Sequence, residues 1–297
     1  MNAGGKPPAF VCLGWQNILR TGPTTSFTTA MAYIYHNGTF HPADAAMLPV
    51  SNPAFRFGEG LFETMRLGPH GIPLWELHME RLRTGMERLG WQQEGPPVAA
   101  LYEELQELVA RNGCAGAARI RLTVYRAGER AEIVGEARPL DPDDAGWNER
   151  GWQVEVYPDA RKAADAFSAL KLTSYLPYLM AARRAAEQGL DECLVLNSWG
   201  QVCESARMNL FIVRGGEIAT PPLSEGCIDG VMRRHLLRQL EGAGTPVRET
   251  PLTMDDLLAA DELFLTNSVK GIRWVERFRS RAYTARRARE LYAGLRL

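Results

Sequence analysis

The segment SALKLTSYLPYLMAARRAA, residues 168–186, places Lys171 between Leu170 and Leu172, with no acidic residue within four positions on either side. The chain has only four lysines, Lys6, Lys162, Lys171 and Lys270, among 34 basic residues. Arginine is its ordinary cation, so a lysine kept in an apolar setting points to chemistry that a guanidinium cannot do. A desolvated amine sheds its proton and attacks a carbonyl carbon, whereas a guanidinium stays charged. A lysine snorkelling at a strand edge accounts for this segment equally well.

Two further features converge with it. Glu204 stands in QVCESARMNLF (201–211), inside an expected hairpin, where Val202, Leu210 and Ile212 mark a buried setting. A buried carboxylate requires a cationic partner. None is evident nearby in sequence, which leaves Glu204 either waiting for a ligand or tied across the hairpin to Arg207. In TPPLSEGCIDGVMRR (220–234) a glycine-containing turn runs straight into a helix. The amides of Val231 and Met232 then sit at the helix N-terminus, which binds phosphate without a charged side chain. One amine, one carboxylate and one phosphate cradle are what pyridoxal phosphate requires. The amine bonds its aldehyde, the carboxylate keeps its pyridine nitrogen protonated, and the helix terminus holds its phosphate.

Competing signatures are missing from the sequence. There is no GxGxxG opening a βαβ unit, no GxxxxGK[ST], no HExxH, no GxSxG and no histidine pair at ligand spacing. Lone histidines such as His78 read as structural. Cys12, Cys114, Cys193, Cys203 and Cys227 are odd in number and lack metal-ligand spacing, so they read as free thiols in a reducing cytoplasm, with no metal site. A formal net charge of −1 with dispersed arginines argues against nucleic-acid binding. No apolar run approaches the roughly 20 residues of a membrane span.

The elements that must position these residues follow from periodicity. AYIYHNGTFHP (32–42) reads as a hairpin around Asn37-Gly38 and GLFETMRL (60–67) as a strand. Trp75, Met79, Leu82, Met86 and Leu89 form one helical stripe ending at Gly90. A second helix follows Pro96-Pro97, with Leu101, Leu105, Leu108 and Val109 on one side. ARIRLTVYRAG (118–128) has period two: Ile120, Leu122 and Val124 take one face, Arg119 and Arg121 the other. That second face is either solvated or lines an anion pocket. Residues 127–150 read as loop and linker. Pro177 opens a helix that stops at Gly189, and four short strands, a helix over 231–240, a capping box at Thr253 and Asp256, two more strands and a last helix after Thr284 follow. The fold class is α+β, with two units meeting near residue 150. The division is 1–30 as a flexible extension, 31–145 as a small domain, 146–153 as a linker and 154–297 as a larger domain.

The order and spacing of these segments resemble the class IV (fold type IV) pyridoxal-phosphate enzymes. That family includes branched-chain and D-amino-acid aminotransferases and 4-amino-4-deoxychorismate lyase. The matching stretches are FRFGEGLFETMR (55–66), HMERL (78–82), LKLTSYL (170–176), GLDECLVLNSWGQVCESARMNLFIV (189–213), TPPLSEGCIDGVMR (220–233) and LFLTNSVKGIRWV (263–275). The resemblance implies a small N-terminal domain, a larger C-terminal domain with a barrel-like sheet, a cofactor between them and a homodimer. It makes Lys171 the Schiff-base lysine and later the acid/base, and pairs Glu204 with the pyridine nitrogen. Arg56 matches a phosphate-binding arginine, with Val231, Met232 and Ser268 as further phosphate contacts. Tyr175 matches a tyrosine near the cofactor's phenolic oxygen, although packing beside Pro177 explains it too. Arg119 and Arg121 could hold a substrate carboxylate. The implied reaction is transamination between an amino acid and a 2-oxo acid. Thr64 and TNSVKGI lean instead towards the lyase.

Overall fold

The computed structural model describes residues 32–45, 48–91, 98–114 and 116–295. The expected extension over 1–30 and the Pro96-Pro97 pair lie outside the described residues.

The first half builds one antiparallel sheet and two covering helices. β1 (Tyr33–His36) and β2 (Thr39–Pro42) form the hairpin, with Asn37 at φ 45° and Gly38 at φ 86° in its turn. A one-turn helix, α1 (Pro53–Phe57), leads into β3 (Gly60–Leu67). α2 (Trp75–Arg88) and α3 (Val98–Arg111) follow, then β4 (Ala118–Ala127) and β5 (Arg130–Pro139). The strand order is β2-β1-β5-β4-β3. Ile120, Leu122 and Val124 join Met79, Leu82, Leu105 and Leu108 in the core beneath the helices.

β5 corrects the expectation of a loop over 127–150. Ala131, Ile133 and Ala137 are buried on alternate positions, with Gly135 between them. Two of the inward residues are alanines and Gly135 has no side chain, while Glu132 and Glu136 face outward, so hydrophobicity is too weak to reveal the strand. Gly135 must be small, because a Cβ there would lie 3.0 Å from Leu105 and 3.2 Å from Tyr35.

The second half starts with β6 (Trp152–Lys162), whose first two residues fall in the stretch expected as linker, and α4 (Leu176–Glu187). β7 (Glu192–Asn197), β8 (Val202–Ser205), β9 (Asn209–Arg214) and β10 (Glu217–Thr220) come next. They are followed by α5 (Val231–Gly242), β11 (Arg248–Glu249), α6 (Met254–Ala259), β12 (Glu262–Asn267), β13 (Gly271–Phe278), β14 (Arg281–Ala282) and α7 (Arg286–Ala293). The sheet order is β11-β10-β9-β12-β13-β6-β7-β8, with β14 on β13. β8 ends this order yet runs into β9 through a tight turn, Ser205 N–H donating to Met208 O at 2.8 Å. The sheet is therefore curled. The architecture is α+β, and among the described residues no helix is long and apolar enough to cross a membrane.

What joins the halves is the segment between β6 and α4. Leu172 bridges to Leu61, Phe62 N–H donates to Lys171 O at 2.9 Å, and Thr173 N–H donates to Gly60 O at 2.8 Å. The segment thus extends the small sheet at the edge of β3. Gly60 permits the approach, since a Cβ there would sit 2.7 Å from Thr173 Oγ1.

Candidate active site

Lys171 is held by that edge pairing with its ammonium above the Phe62 ring, 4.4 Å from the centroid, and 5.7 Å from the Tyr175 centroid. Among the described residues it makes no side-chain hydrogen bond and no ion pair. Burial, then the Arg81 charge, pushes its amine down to about 7, against smaller opposing effects of Glu63 and Glu204. An amine without a partner, half neutral near neutral pH, is a competent nucleophile.

Glu204 is buried on β8, but it is not short of partners. Lys162 Nζ donates to Oε1 at 2.8 Å, the Tyr178 hydroxyl donates to the same oxygen, and Ile228 N–H lies 3.1 Å from both oxygens. Asn209 Nδ2 donates to Oε2 at 3.3 Å. The expectation of a missing local cation is therefore corrected. Lys162 lies 42 residues away in sequence, and β6 beside β7 and β8 brings it in. Arg207 turns elsewhere, donating to Glu192 at 3.0 Å.

The α5 terminus differs from the sequence reading in the arginine that reaches it. Val231 and Met232 are buried in the first turn of α5, whose N-cap Gly230 offers no side chain to the free amides. Arg56 lies exposed in the last turn of α1. The guanidinium that reaches the α5 terminus is that of Arg81, which donates to Asp229 O at 2.9 Å. Arg81 also donates to Glu63 Oε1 through Nε at 2.7 Å, and His78 Nδ1 lies 2.6 Å from Glu63 Oε2. Burial would raise the Glu63 pKa, but Arg81 and then His78 outweigh it and hold the carboxyl at about 2. Burial pushes His78 down, so the imidazole is neutral and donates its Nδ1 proton. The trio was hidden in the sequence because Arg81 and Glu80 look like the solvated side of an amphipathic helix. Its only signal was their place in HMERL and FETMR.

Ser268 Oγ donates to Thr64 O at 2.8 Å, a second tie between the sheets. Tyr175 caps α4, stacks on Tyr178 with centroids 4.4 Å apart and donates to Ala206 O at 2.8 Å. Arg121 lies over Phe62 at 3.9 Å, on the ring that also carries Lys171. Arg119, two residues earlier, is 3.9 Å from Asp144. Lys171, Tyr175, Glu204, Arg121 and the Arg81–Glu63–His78 trio therefore gather at the junction of the two sheets.

The donor set fits pyridoxal phosphate. The amine is unpaired, the α5 terminus is uncapped beside a guanidinium, and the cradle needs glycine: a Cβ on Gly230 would fall 1.8 Å from Asn209 Oδ1. The family model for amino-transferase class IV matches residues 60–278, and the chain belongs to that family. It is similar to the branched-chain-amino-acid aminotransferase of Escherichia coli K12, 26% identical over 81% of this chain and 82% of that one. It is likewise similar to the aminodeoxychorismate lyase of Bacillus subtilis, 29% identical over 80% of this chain and 83% of that one. Among solved structures, the branched-chain amino acid aminotransferase of T.th. with pyridoxamine 5'-phosphate aligns at TM-score 0.75. It is 25% identical, over 89% of this chain and 93% of that one.

Proposed function

We propose that this chain is a pyridoxal-phosphate-dependent aminotransferase, moving an amino group between an amino acid and a 2-oxo acid with Lys171 as the working amine. The observation that carries this reading is the unpaired Lys171 ammonium over Phe62, its pKa lowered to about 7. Pyridoxal phosphate, when bound, supplies an aldehyde that bonds amines and a protonated ring that draws electrons from the substrate Cα. Lys171 Nζ would hold the cofactor through its aldehyde and, once the substrate amine has taken its place there, would be the free amine that carries the proton taken from the substrate Cα. Arg81 and the amides of Val231 and Met232 would hold the phosphate, with Ser268 exchanging Thr64 O for it. Glu204 would accept from the ring nitrogen through Oε2, whose protein contacts are the longer ones. Tyr175 would pack beside the cofactor next to Lys171, and Arg121 would take the substrate α-carboxylate. A homodimer and a domain boundary over 146–153 belong to the same reading.

One observation favours a second reading. Thr64 shares the Phe62 face of β3, which puts a hydroxyl-bearing residue on the side that carries Lys171. That suits a 4-amino-4-deoxychorismate lyase releasing 4-aminobenzoate and pyruvate. Purified holoenzyme should be assayed with pyruvate or 2-oxoglutarate against L- and D-amino acids, and separately with aminodeoxychorismate. Amino transfer that disappears in Lys171→Ala, together with the borohydride-trapped adduct, supports the first reading. A fully active Lys171→Ala enzyme overturns it, and pyruvate release without amino transfer moves the assignment to the lyase.

A further inference from the structure

β6 departs from regular pairing on both of its sides. Its register with β13 shifts between Val275 and Arg277, and its register with β7 shifts between Val156 and Arg161. Two cavities, of about 550 and 450 Å³, lie along that irregular stretch and share Glu155, Gln188 and Arg279 in their lining. They make one groove between β6, the end of β13 and the C-terminal end of α4. Gln188 is the C-cap of α4 and Tyr175 its N-cap, which sets them roughly 20 Å apart at about 1.5 Å per residue. The groove is therefore separate from the Lys171 site and shares no residue with it.

Its walls are cationic. Arg277 and Arg279 line one cavity, and Arg161, Arg184 and Arg279 the other, against Glu155 as the one carboxylate among the lining residues. Glu155 is already engaged, since Oε1 accepts from Val156 N–H at 2.8 Å and lies 3.5 Å from Arg279 Nε. Among the described residues Arg161, Arg184 and Arg277 make no ion pair. Arg161 donates to the Pro158 and Ala160 carbonyls, at 3.0 and 3.1 Å, which carry no net charge. Four guanidiniums against one carboxylate repel one another, and a cleft concentrates their field on an incoming anion. The floor is apolar. Val154 and Leu196 belong to the core of the curled sheet, and Val156 and Met254 pack against it.

We propose that this groove is a binding site for a nucleoside polyphosphate. A guanidinium matches phosphate oxygens with two parallel hydrogen bonds and stacks on planar rings. Several arginines along one groove suit a chain of phosphates better than a single anion. The apolar floor gives a base somewhere to lie, which an inorganic polyanion would leave unused. Cavities of this size are ordinary for small-molecule sites.

The test uses enzyme saturated with pyridoxal phosphate, so that the added phosphates do not enter the cofactor's own place. ATP, adenosine and tripolyphosphate are titrated calorimetrically without divalent metal. ATP should bind most tightly of the three, and its affinity should fall as salt rises. Arg184→Gln and Arg277→Gln should each weaken ATP binding about tenfold, the effect of one lost charge-assisted hydrogen bond, with the absorbance of the bound cofactor unchanged. Arg183→Gln removes a cation of the same helix that already pairs with Glu187, and should leave ATP affinity as it is. ATP that does not bind, or that binds the parent and all three variants alike, overturns the site. Tripolyphosphate binding as tightly as ATP overturns the assignment to a nucleoside polyphosphate.

Discussion

Lys162 and Lys171 are the same residue type nine positions apart, and their surroundings give them opposite properties. Lys162 is pinned between Glu204 and Ser168 O, at 2.8 and 2.9 Å, whereas Lys171 has no acceptor and sits over an aromatic ring. A buried ammonium without a carboxylate partner gives its proton up more readily, as Lys171 does. Glu204→Gln therefore touches two functions together. It removes the charge that would face the cofactor nitrogen, and it leaves the Lys162 ammonium without its counter-ion. We expect turnover of the folded enzyme to fall by about 10² to 10³, typical of a lost electrostatic contact made mainly in the transition state, and the melting temperature to fall with it. Turnover and melting are measured on one preparation. Unchanged turnover alongside a lower melting temperature would leave Glu204 a purely structural residue.

Among the elements, α5 is the most exacting, because its N-terminus is set by a contact rather than a cap. Gly230 lets Asn209 approach, and Asn209 in turn bonds Glu204 Oε2 and Ile228 O. An added methyl would push Asn209 away from the carboxylate and disturb the terminus that meets Arg81. Gly230→Ala should still give soluble protein but weaken pyridoxal phosphate binding by about tenfold or more, read by titrating the apoenzyme. Gly242, in the last turn of the same helix, has nothing within 4 Å of a Cβ and is the control. Gly242→Ala should raise stability by about 0.5–1 kcal/mol and leave cofactor affinity alone. Equal affinities in the two variants would remove α5 from the phosphate site.

For the whole molecule, the buried Glu63 carboxylate is a tie between the sheets. It belongs to β3, holds Arg81 and His78 of α2, and through Arg81 reaches Asp229 before α5. Its pKa is about 2 in the folded protein against an ordinary value of 4.5. A depressed folded value means the stabilisation is complete above about pH 4.5 and disappears as pH falls towards 2. The stake is on the order of 3 kcal/mol, from about 1.4 kcal/mol per pKa unit. Glu63→Gln should be less stable at pH 7 and show a shallower loss between pH 4.5 and 2 than the parent, measured by denaturant unfolding. Parallel curves would mean that Glu63 titrates normally.

The sequence by itself determined the α+β class and the helices α2, α3 and α5, and it singled out Lys171, Glu204 and the α5 amides as candidates. Those readings rest on local information: the rarity of lysine, the period of apolar residues, and a glycine turn before a helix. It did not yield β5, whose buried positions are filled by small side chains. Nor did it yield Arg81, rather than Arg56, beside the α5 terminus, or Lys162 as the partner of Glu204. Those pairings span 18 to 148 residues, and no local pattern records which strand edge will lie against which helix end. Only the tertiary structure decided them, because a buried charge is stabilised by whatever the folded chain brings within hydrogen-bond reach. The placement of Arg66 opposite Arg119, and of Arg119 opposite Arg138, has the same origin: it is a matter of strand register, which appears only when β3, β4 and β5 are paired.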